Sequence, residues 1–203
     1  MTNDELLIIF KKSGALLEGH FQLTSGLHSR QYFQCAKVLQ YPEYATTICG
    51  MIAKHFQSSR INIVIAPALG GIIVAQEVGR ILNSLATNNA DQLRILFTER
   101  KDNLMQLRRG FEIHPGERVL VCEDVITTGG SVSEVIEIVR REGGEVAGVG
   151  SIVDRSGGKV NFNNTLFAAM SMQVVTYKPE DCPLCAKGVP VEKPGSRGNA
   201  PKS

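Results

Sequence analysis

The chain has 203 residues, 43% of them hydrophobic, with 20 glycines and a formal net charge of +2. That length supports one substantial core, and the near-neutral balance speaks against a nucleic-acid partner, which a basic face would recognise. No apolar run is long enough to span a bilayer, the first residues read as an acidic helix rather than a signal peptide, and five cysteines, an odd number, point to reduced thiols in the cytoplasm.

Thr2 and Glu5 form a capping box before Leu6, Ile9 and Phe10, which predicts a helix to about Ser13 with Gly14 as its stop. Residues 21–40 read as irregular and partly extended. Pro42 suits the first turn of a helix whose inner face is Ala45, Ile48, Cys49, Ile52 and Phe56. Ile61 to Ala66 reads as a strand, and Gly70-Gly71 leads into a helix bearing Val74, Val78, Ile81 and Leu82. Leu93 to Phe97 is a further strand. Residues 98–117 are polar and charged, too long for a routine connection, and read as a functional loop or an extended hairpin. Val146 to Val153 is strand-like, as is the weaker segment 166–176. Beyond Tyr177 the chain turns rich in Pro, Gly and Lys and reads as an ordered extension at best. The alternation argues for an α/β fold, a twisted, mostly parallel sheet flanked by helices, with ligands at the carboxyl ends of the strands. The expected organisation is a single domain over 1–203: an N-terminal hood segment (1–40), an α/β core (41–177) and a C-terminal extension (178–203).

Residues 119–131 carry the most chemistry. Val119 to Cys122 is a short apolar run that reads as a buried parallel strand. Glu123 and Asp124 follow where that strand should end. Thr127, Thr128, Gly129, Gly130 and Ser131 then make a hydroxyl- and glycine-rich turn, and Val132, Val135, Ile136 and Val139 continue at helical spacing. A turn that opens a helix presents unpaired N–H groups and the positive end of the dipole, which favour a phosphate. Two carboxylates beside such a cup suit the hydroxyls of a sugar phosphate. The run lacks the Gly-Lys-Ser/Thr ending of the ATPase loop and the glycine spacing of the dinucleotide fingerprint. Its bland reading, a glycine-rich turn capping an ordinary helix, leaves the Glu-Asp pair without a role.

The run from Val119 through Val125 and Ile126 to Ser131 resembles the phosphoribosyl-diphosphate (PRPP) signature of the type I phosphoribosyltransferases, and residues 16–156 as a whole resemble the orotate-using branch of that family. Leu23-Thr24-Ser25-Gly26 with Ser29 and Tyr32-Phe33 is similar to the segment in which an aromatic pair lines the orotate pocket. Ala66 to Gly71 is similar to the family's pyrophosphate loop, which implies roles for Leu69 and Gly70 on the diphosphate. Asp154-Arg155 is similar to the place where an arginine binds the orotate carboxylate, a match of planar fork to carboxylate. Thr98 to Phe111 occupies the position of a mobile loop that closes over the site across a dimer interface, its charge supplied here by Arg100, Lys101, Arg108 and Arg109. The same hairpin also reads as a solvated basic surface, and Tyr32 and Phe33 as core aromatics.

The resemblance implies transfer of the phosphoribosyl group from PRPP to orotate in a homodimer, with Mg²⁺ held mainly through PRPP and no direct protein ligand. Asp124, Lys101, Arg108 and Arg109 would be catalytic. Arg100, Leu69, Gly70 and residues 123–131 would bind PRPP, and Thr127, Arg155, Tyr32 and Phe33 would bind orotate. The chain departs from the family pattern: Thr24 stands where a lysine is usual, Leu69-Gly70 where an aromatic-lysine pair is, Leu104 near the place of the loop's catalytic lysine and Gln106 near that of its neighbouring histidine. A salvage enzyme for a purine or uracil, and a non-catalytic PRPP-sensing regulator of nucleic acid, are the competing readings. Cys182-Pro-Leu-Cys185 supplies two of the four ligands that a structural zinc needs, and no histidine matches it in spacing, so it reads as a turn with two surface thiols or as half of a zinc site shared across a dimer.

Overall fold

The computed structural model describes residues 1–23, 25–85 and 92–194. Helix α1 (Asn3–Lys12) begins at a complete capping box, Thr2 with Glu5, and ends at Ser13, after which Gly14 turns at φ +67°. Strands β1 (Leu16–Gln22) and β2 (His28–Phe33) pair antiparallel. A hairpin therefore stands where an irregular segment was expected. Polar residues such as His20, Gln22, His28 and Arg30 break the apolar alternation and hide the strands from a periodicity reading. A short helix α2 (Ala36–Leu39) and the long α3 (Pro42–Phe56) follow, with Pro42 in the first turn of α3 and Ala45, Ile48, Cys49, Ile52 and Phe56 buried.

Strand β3 (Ile63–Pro67), helix α4 (Gly70–Leu85), strands β4 (Arg94–Lys101), β5 (Leu104–Leu107) and β6 (Arg118–Ile126), helix α5 (Gly130–Arg141), and strands β7 (Glu145–Asp154) and β8 (Leu166–Ser171) come next. The chain continues through the two-residue β9 (Thr176–Tyr177), a 3₁₀ turn over Pro179–Asp181 and a last short helix α6 (Pro183–Ala186).

Two compact units result, residues 1–38 with 173–203 and residues 39–172. In the first, β1, β2 and β9 form a three-stranded sheet. The rings of Phe10 and Phe33 meet edge to face, centroids 5.5 Å apart. In the second, six strands run in the order β5-β4-β3-β6-β7-β8. All neighbours are parallel except β4 and β5, which form an antiparallel hairpin from Thr98↔Leu107 to Lys101↔Leu104. The expected mostly parallel sheet is thus present, and the charged segment after β4 is an extended hairpin.

Strand alternation sorts the helices onto the two faces of this sheet. Ile63, Ile65, Val119, Val121 and Val149 pack with Val132, Val135, Ile136 and Val139 of α5. Residues of opposite parity face the other way: Gly148 and Gly150 lie against Phe56 and Ile52 of α3. Covered on both faces, β6 keeps four consecutive apolar residues, Val119 to Cys122, fully buried.

Candidate active site

The site begins where β6 leaves the core. The strand runs on through Glu123 and Asp124 to Ile126, pairing with β7 as far as Ile126↔Asp154. The two carboxylates therefore stand on the strand's last turn of pleat, not beyond its end. Their residues alternate across the sheet, and both are held by local bonds. The Asp124 N–H donates to Glu123 Oε1 at 3.1 Å, and the Val125 N–H donates to Asp124 Oδ1 at 2.8 Å. Burial, and then the neighbouring Asp124, push the Glu123 carboxyl well above the usual carboxylate range. Behind the pair, the buried Ser151 of β7 donates to the carbonyls of Val153 (3.1 Å) and Asp124 (3.4 Å). A serine in an otherwise apolar strand was the sequence signal for this support.

The phosphate cup follows. Residues 127–132, with Glu123, Val125 and Ile126, line a polar hollow of about 50 Å³ at the start of α5. Gly129 is left-handed at φ +77°, and a Cβ there would sit 2.8 Å from Val160 Cγ1 and 3.0 Å from Phe162 Cε1. Both the conformation and the space demand glycine. The Gly129 carbonyl accepts the Ser133 N–H at 2.9 Å, so the helix starts directly behind the cup and leaves its first N–H groups without intrahelical acceptors. Ile126 contributes backbone only, because its side chain is in the core beside α5.

A second turn meets the same carboxylates. Between β3 and α4 the peptide Ala68–Leu69 is cis, and the Ala68 N–H donates to the Thr98 carbonyl at 2.8 Å. A Cβ on Gly70 would run into the Asp124 carboxylate, and one on Gly71 would lie 2.9 Å from the Ala66 Cβ and 3.5 Å from Glu123 Oε1. The glycine at position 70, where the resemblance led one to look for a larger residue, is therefore explained by the approach of Asp124. Thr98, fully buried within β4 opposite Pro67, keeps a hydroxyl with no hydrogen-bond partner among the described residues. The charge pattern of the segment did not single out this hydroxyl beside the turn.

The remaining candidates are placed as follows. The Arg155 N–H donates to the Ile126 carbonyl at 2.8 Å, which puts Arg155 beside the β6 end and one residue from Thr127. On the β4–β5 hairpin, Arg109 forms a two-pronged pair with Glu99 at 2.8 and 2.8 Å, and Arg108 lies 4.0 Å from the same carboxylate. Hydrogen bonding from Arg109 holds the Glu99 carboxyl below its usual range. Arg109 also lies over the Phe97 ring at 5.7 Å. Arg100 pairs with Glu134 of α5 at 2.6 Å, and Lys101 makes no ion pair among the described residues. These pairs are exposed and exchange readily with solvent. In the other unit Phe33 is buried against Phe10, whereas Tyr32 is half-buried with its ring 5.9 Å from that of Phe21. Thr24 lies outside the described residues.

The donor set of this unit suits a hard cation only in part. Glu123 is biased towards its protonated form, so Asp124 is the carboxylate left to face one, and an ion here would take most of its oxygens from its substrate.

A family model of the phosphoribosyl transferase domain matches residues 35–173. Orotate phosphoribosyltransferase of Chlorobaculum parvum is 58% identical over 200 residues, 98% of this chain and 99% of that one. The enzyme of the same name from Pelotomaculum thermopropionicum is 55% identical over 197 residues, 97% of this chain and 99% of that one. Among solved structures, orotate phosphoribosyltransferase from Aeropyrum pernix superposes with a TM-score of 0.68 at 25% identity, covering 83% of this chain and 94% of that one.

Proposed function

The chain belongs to the phosphoribosyl transferase family, and on that premise we propose that it catalyses orotate + PRPP → orotidine 5′-monophosphate + diphosphate, a step of pyrimidine nucleotide synthesis. The observation that carries the reading is the convergence of two backbone turns on one carboxylate pair. The Thr127–Ser131 cup and the Leu69–Gly70 turn both lie at carboxyl ends of parallel strands, and Asp124 touches the second of them. That arrangement holds a sugar between a phosphate at one end and a diphosphate at the other.

In the reaction the orotate N1 lone pair forms the bond to the anomeric carbon, the bond from that carbon to the diphosphate oxygen breaks with its electron pair, and the N1 proton passes to solvent. The protein's tasks are positioning and charge stabilisation. The cup holds the 5′-phosphate through N–H groups and the hydroxyls of Thr128 and Ser131. Asp124 and Glu123 take the ribose hydroxyls, and the charge of Asp124 favours the developing oxocarbenium character. Thr127 and Arg155 bind orotate, the guanidinium on its carboxylate. Leu69 and Gly70 offer backbone to the diphosphate. Mg²⁺ would be held mainly through PRPP, with Asp124 the residue placed to face it, and would supply neutralisation of the departing diphosphate. Lys101, Arg108, Arg109 and Arg100 add to that neutralisation when the hairpin closes, acting on the neighbouring subunit of a homodimer. The length and charge of the hairpin support this role. The five free cysteines, four of them buried, support a reducing cytoplasmic setting.

The test is release of diphosphate from PRPP with Mg²⁺ and each of orotate, uracil, adenine and hypoxanthine. Orotate should be preferred by orders of magnitude. Equal or better use of a base without a carboxylate would transfer the protein to the salvage class.

A further inference from the structure

Cys182 and Cys185 have found partners that the sequence spacing concealed. The bulge between Glu18 and Phe21 sets two residues, Gly19 and His20, against Arg30 alone, and such bulges re-aim side chains. His28 opens β2, and β9 runs beside it through His28↔Tyr177. The chain then returns over α6, so that residues 182–185 lie against the β1–β2 hairpin within the same unit. His20, His28 and Cys182 are buried, and Cys185 closes the group from the exposed side. Cys182 is thus no surface thiol.

The four ligand atoms all lie within 4.8 Å of one another. His20 Nε2 is 2.9 Å from His28 Nδ1, 3.4 Å from Cys182 Sγ and 3.7 Å from Cys185 Sγ, while Cys185 Sγ is 3.3 Å from His28 Nδ1. A tetrahedral zinc with ordinary bond lengths separates N and S ligands by about 3.6 Å and two N ligands by about 3.3 Å. The sulfur–nitrogen distances bracket the first value, and the nitrogen pair lies a few tenths of an ångström inside the second.

Hydrogen bonding alone accounts poorly for this convergence. His20 Nδ1 lies 2.7 Å from the Val189 carbonyl, which can only accept, so Nδ1 carries the proton. Nε2 then has at most one lone pair to offer, and three groups crowd it. A single lone pair serves one of them. A cation at the centre takes a lone pair from each of the four atoms, and the Val189 carbonyl becomes the outer partner that orients a metal-bound histidine. The neighbouring chain is tied at the same place, where the Glu192 N–H donates to the His20 carbonyl and the Gln22 N–H to the Glu192 carbonyl, each at 2.8 Å.

We propose that His20, His28, Cys182 and Cys185 form a structural Zn²⁺ site that staples residues 182–192 to the β1–β2 hairpin. Thiolate and imidazole together in a tetrahedral set select zinc over the hard cations, and four protein ligands leave no open position for catalysis. A three-stranded sheet with a two-residue third strand belongs to the class of small units that need such a staple. The site is independent of the transferase reading and is complete within one chain.

The experiment uses the full chain, purified under reducing conditions without chelator, and measures metal content by elemental analysis. One zinc per chain is expected. Cys185→Ser and His28→Asn should each weaken zinc retention against a competing chromophoric chelator by more than about 100-fold, since loss of even an outer partner costs 10–100-fold. His55→Gln, outside the cluster, should leave it unchanged. Should a ligand variant fail to fold, the wild-type protein decides: stripped of metal and titrated with Co²⁺, it should show the visible bands of a tetrahedral site and a sulfur-to-cobalt charge-transfer band. Less than about a tenth of an equivalent of zinc after reconstitution under reducing conditions, Co²⁺ bands of an octahedral oxygen site, or unaltered zinc retention in both ligand variants would overturn the assignment.

Discussion

Replacing Gly129 by alanine separates the two reasons for glycine in the phosphate cup. The left-handed backbone at φ +77° costs an L-residue roughly 1–2 kcal/mol. The new methyl also meets Val160 Cγ1 at 2.8 Å and the Phe162 ring at 3.0 and 3.1 Å, well inside ordinary contact. Overpacking of that kind costs about 1–3 kcal/mol. Phe162 is nearly buried, so it cannot swing away, whereas Val160 is half-buried and can yield. The total should fall near 3 kcal/mol, which lowers the melting temperature by roughly 6–12 °C at this chain length. Because the same backbone forms the cup, the KM for PRPP should rise while that for orotate moves little. Gly129→Ala/Val160→Ala provides the internal control: it removes one contact but keeps the left-handed backbone, so stability should return only partly. The assays are thermal unfolding and steady-state kinetics with each substrate varied. An unshifted melting temperature with an unchanged KM for PRPP would refute the whole argument, and full recovery in the double variant would refute its backbone part.

Asp124→Asn should lower turnover by ~10²-fold or more with an unchanged far-UV spectrum, since the amide oxygen still accepts the Val125 N–H while the charge is lost; retention of a tenth of wild-type turnover would remove Asp124 from the catalytic list. Arg155→Ala should raise the KM for orotate at least ~30-fold, the equivalent of about 2 kcal/mol for a lost carboxylate fork, and leave that for PRPP nearly unchanged; parallel changes in both would show a structural role instead. Glu123 has a folded-state pKa above its unfolded value, so the folded protein holds the extra proton between the two: the stability it contributes is complete below about pH 4.3 and is lost as pH rises through the folded value, by up to about 1.4 kcal/mol per unit. Glu123→Gln should therefore gain in melting temperature over wild type as pH rises from 4 to about 8, and a pH-independent difference in unfolding scans would contradict the shift. Mixed inactive chains, Lys101→Ala/Arg108→Ala/Arg109→Ala with Asp124→Asn, should recover activity towards half of wild type per heterodimer once subunits exchange, because one site then escapes both lesions; no recovery after verified exchange would place the hairpin over its own subunit's site.

The run from Val119 to Ser131 was legible in the sequence because its strand, acids, cup and helix are adjacent residues, and each follows from local preference: buried apolar pairing, a glycine turn, a 3.6-residue period. The alternation of strands and helices likewise dictated a mostly parallel sheet. Other features depended on residues far apart in the chain. Only the packing of β6 against the β3–α4 turn explains why position 70 must be glycine, since the obstacle is Asp124, 54 residues later. The sequence offered Arg100, Arg108 and Arg109 as charge, but their partners Glu134 and Glu99 emerged from the hairpin and α5. The N-terminal hairpin escaped notice because its polar positions serve His20 and His28. Those histidines meet Cys182 and Cys185 across sequence separations of 157 to 165 residues, and no local spacing encodes that meeting. Local chemistry thus specified the phosphate-binding strand and loop, while long-range contact alone decided how the cysteine pair is completed, because the free energy of a four-ligand cluster resides in the meeting of segments that are individually unremarkable.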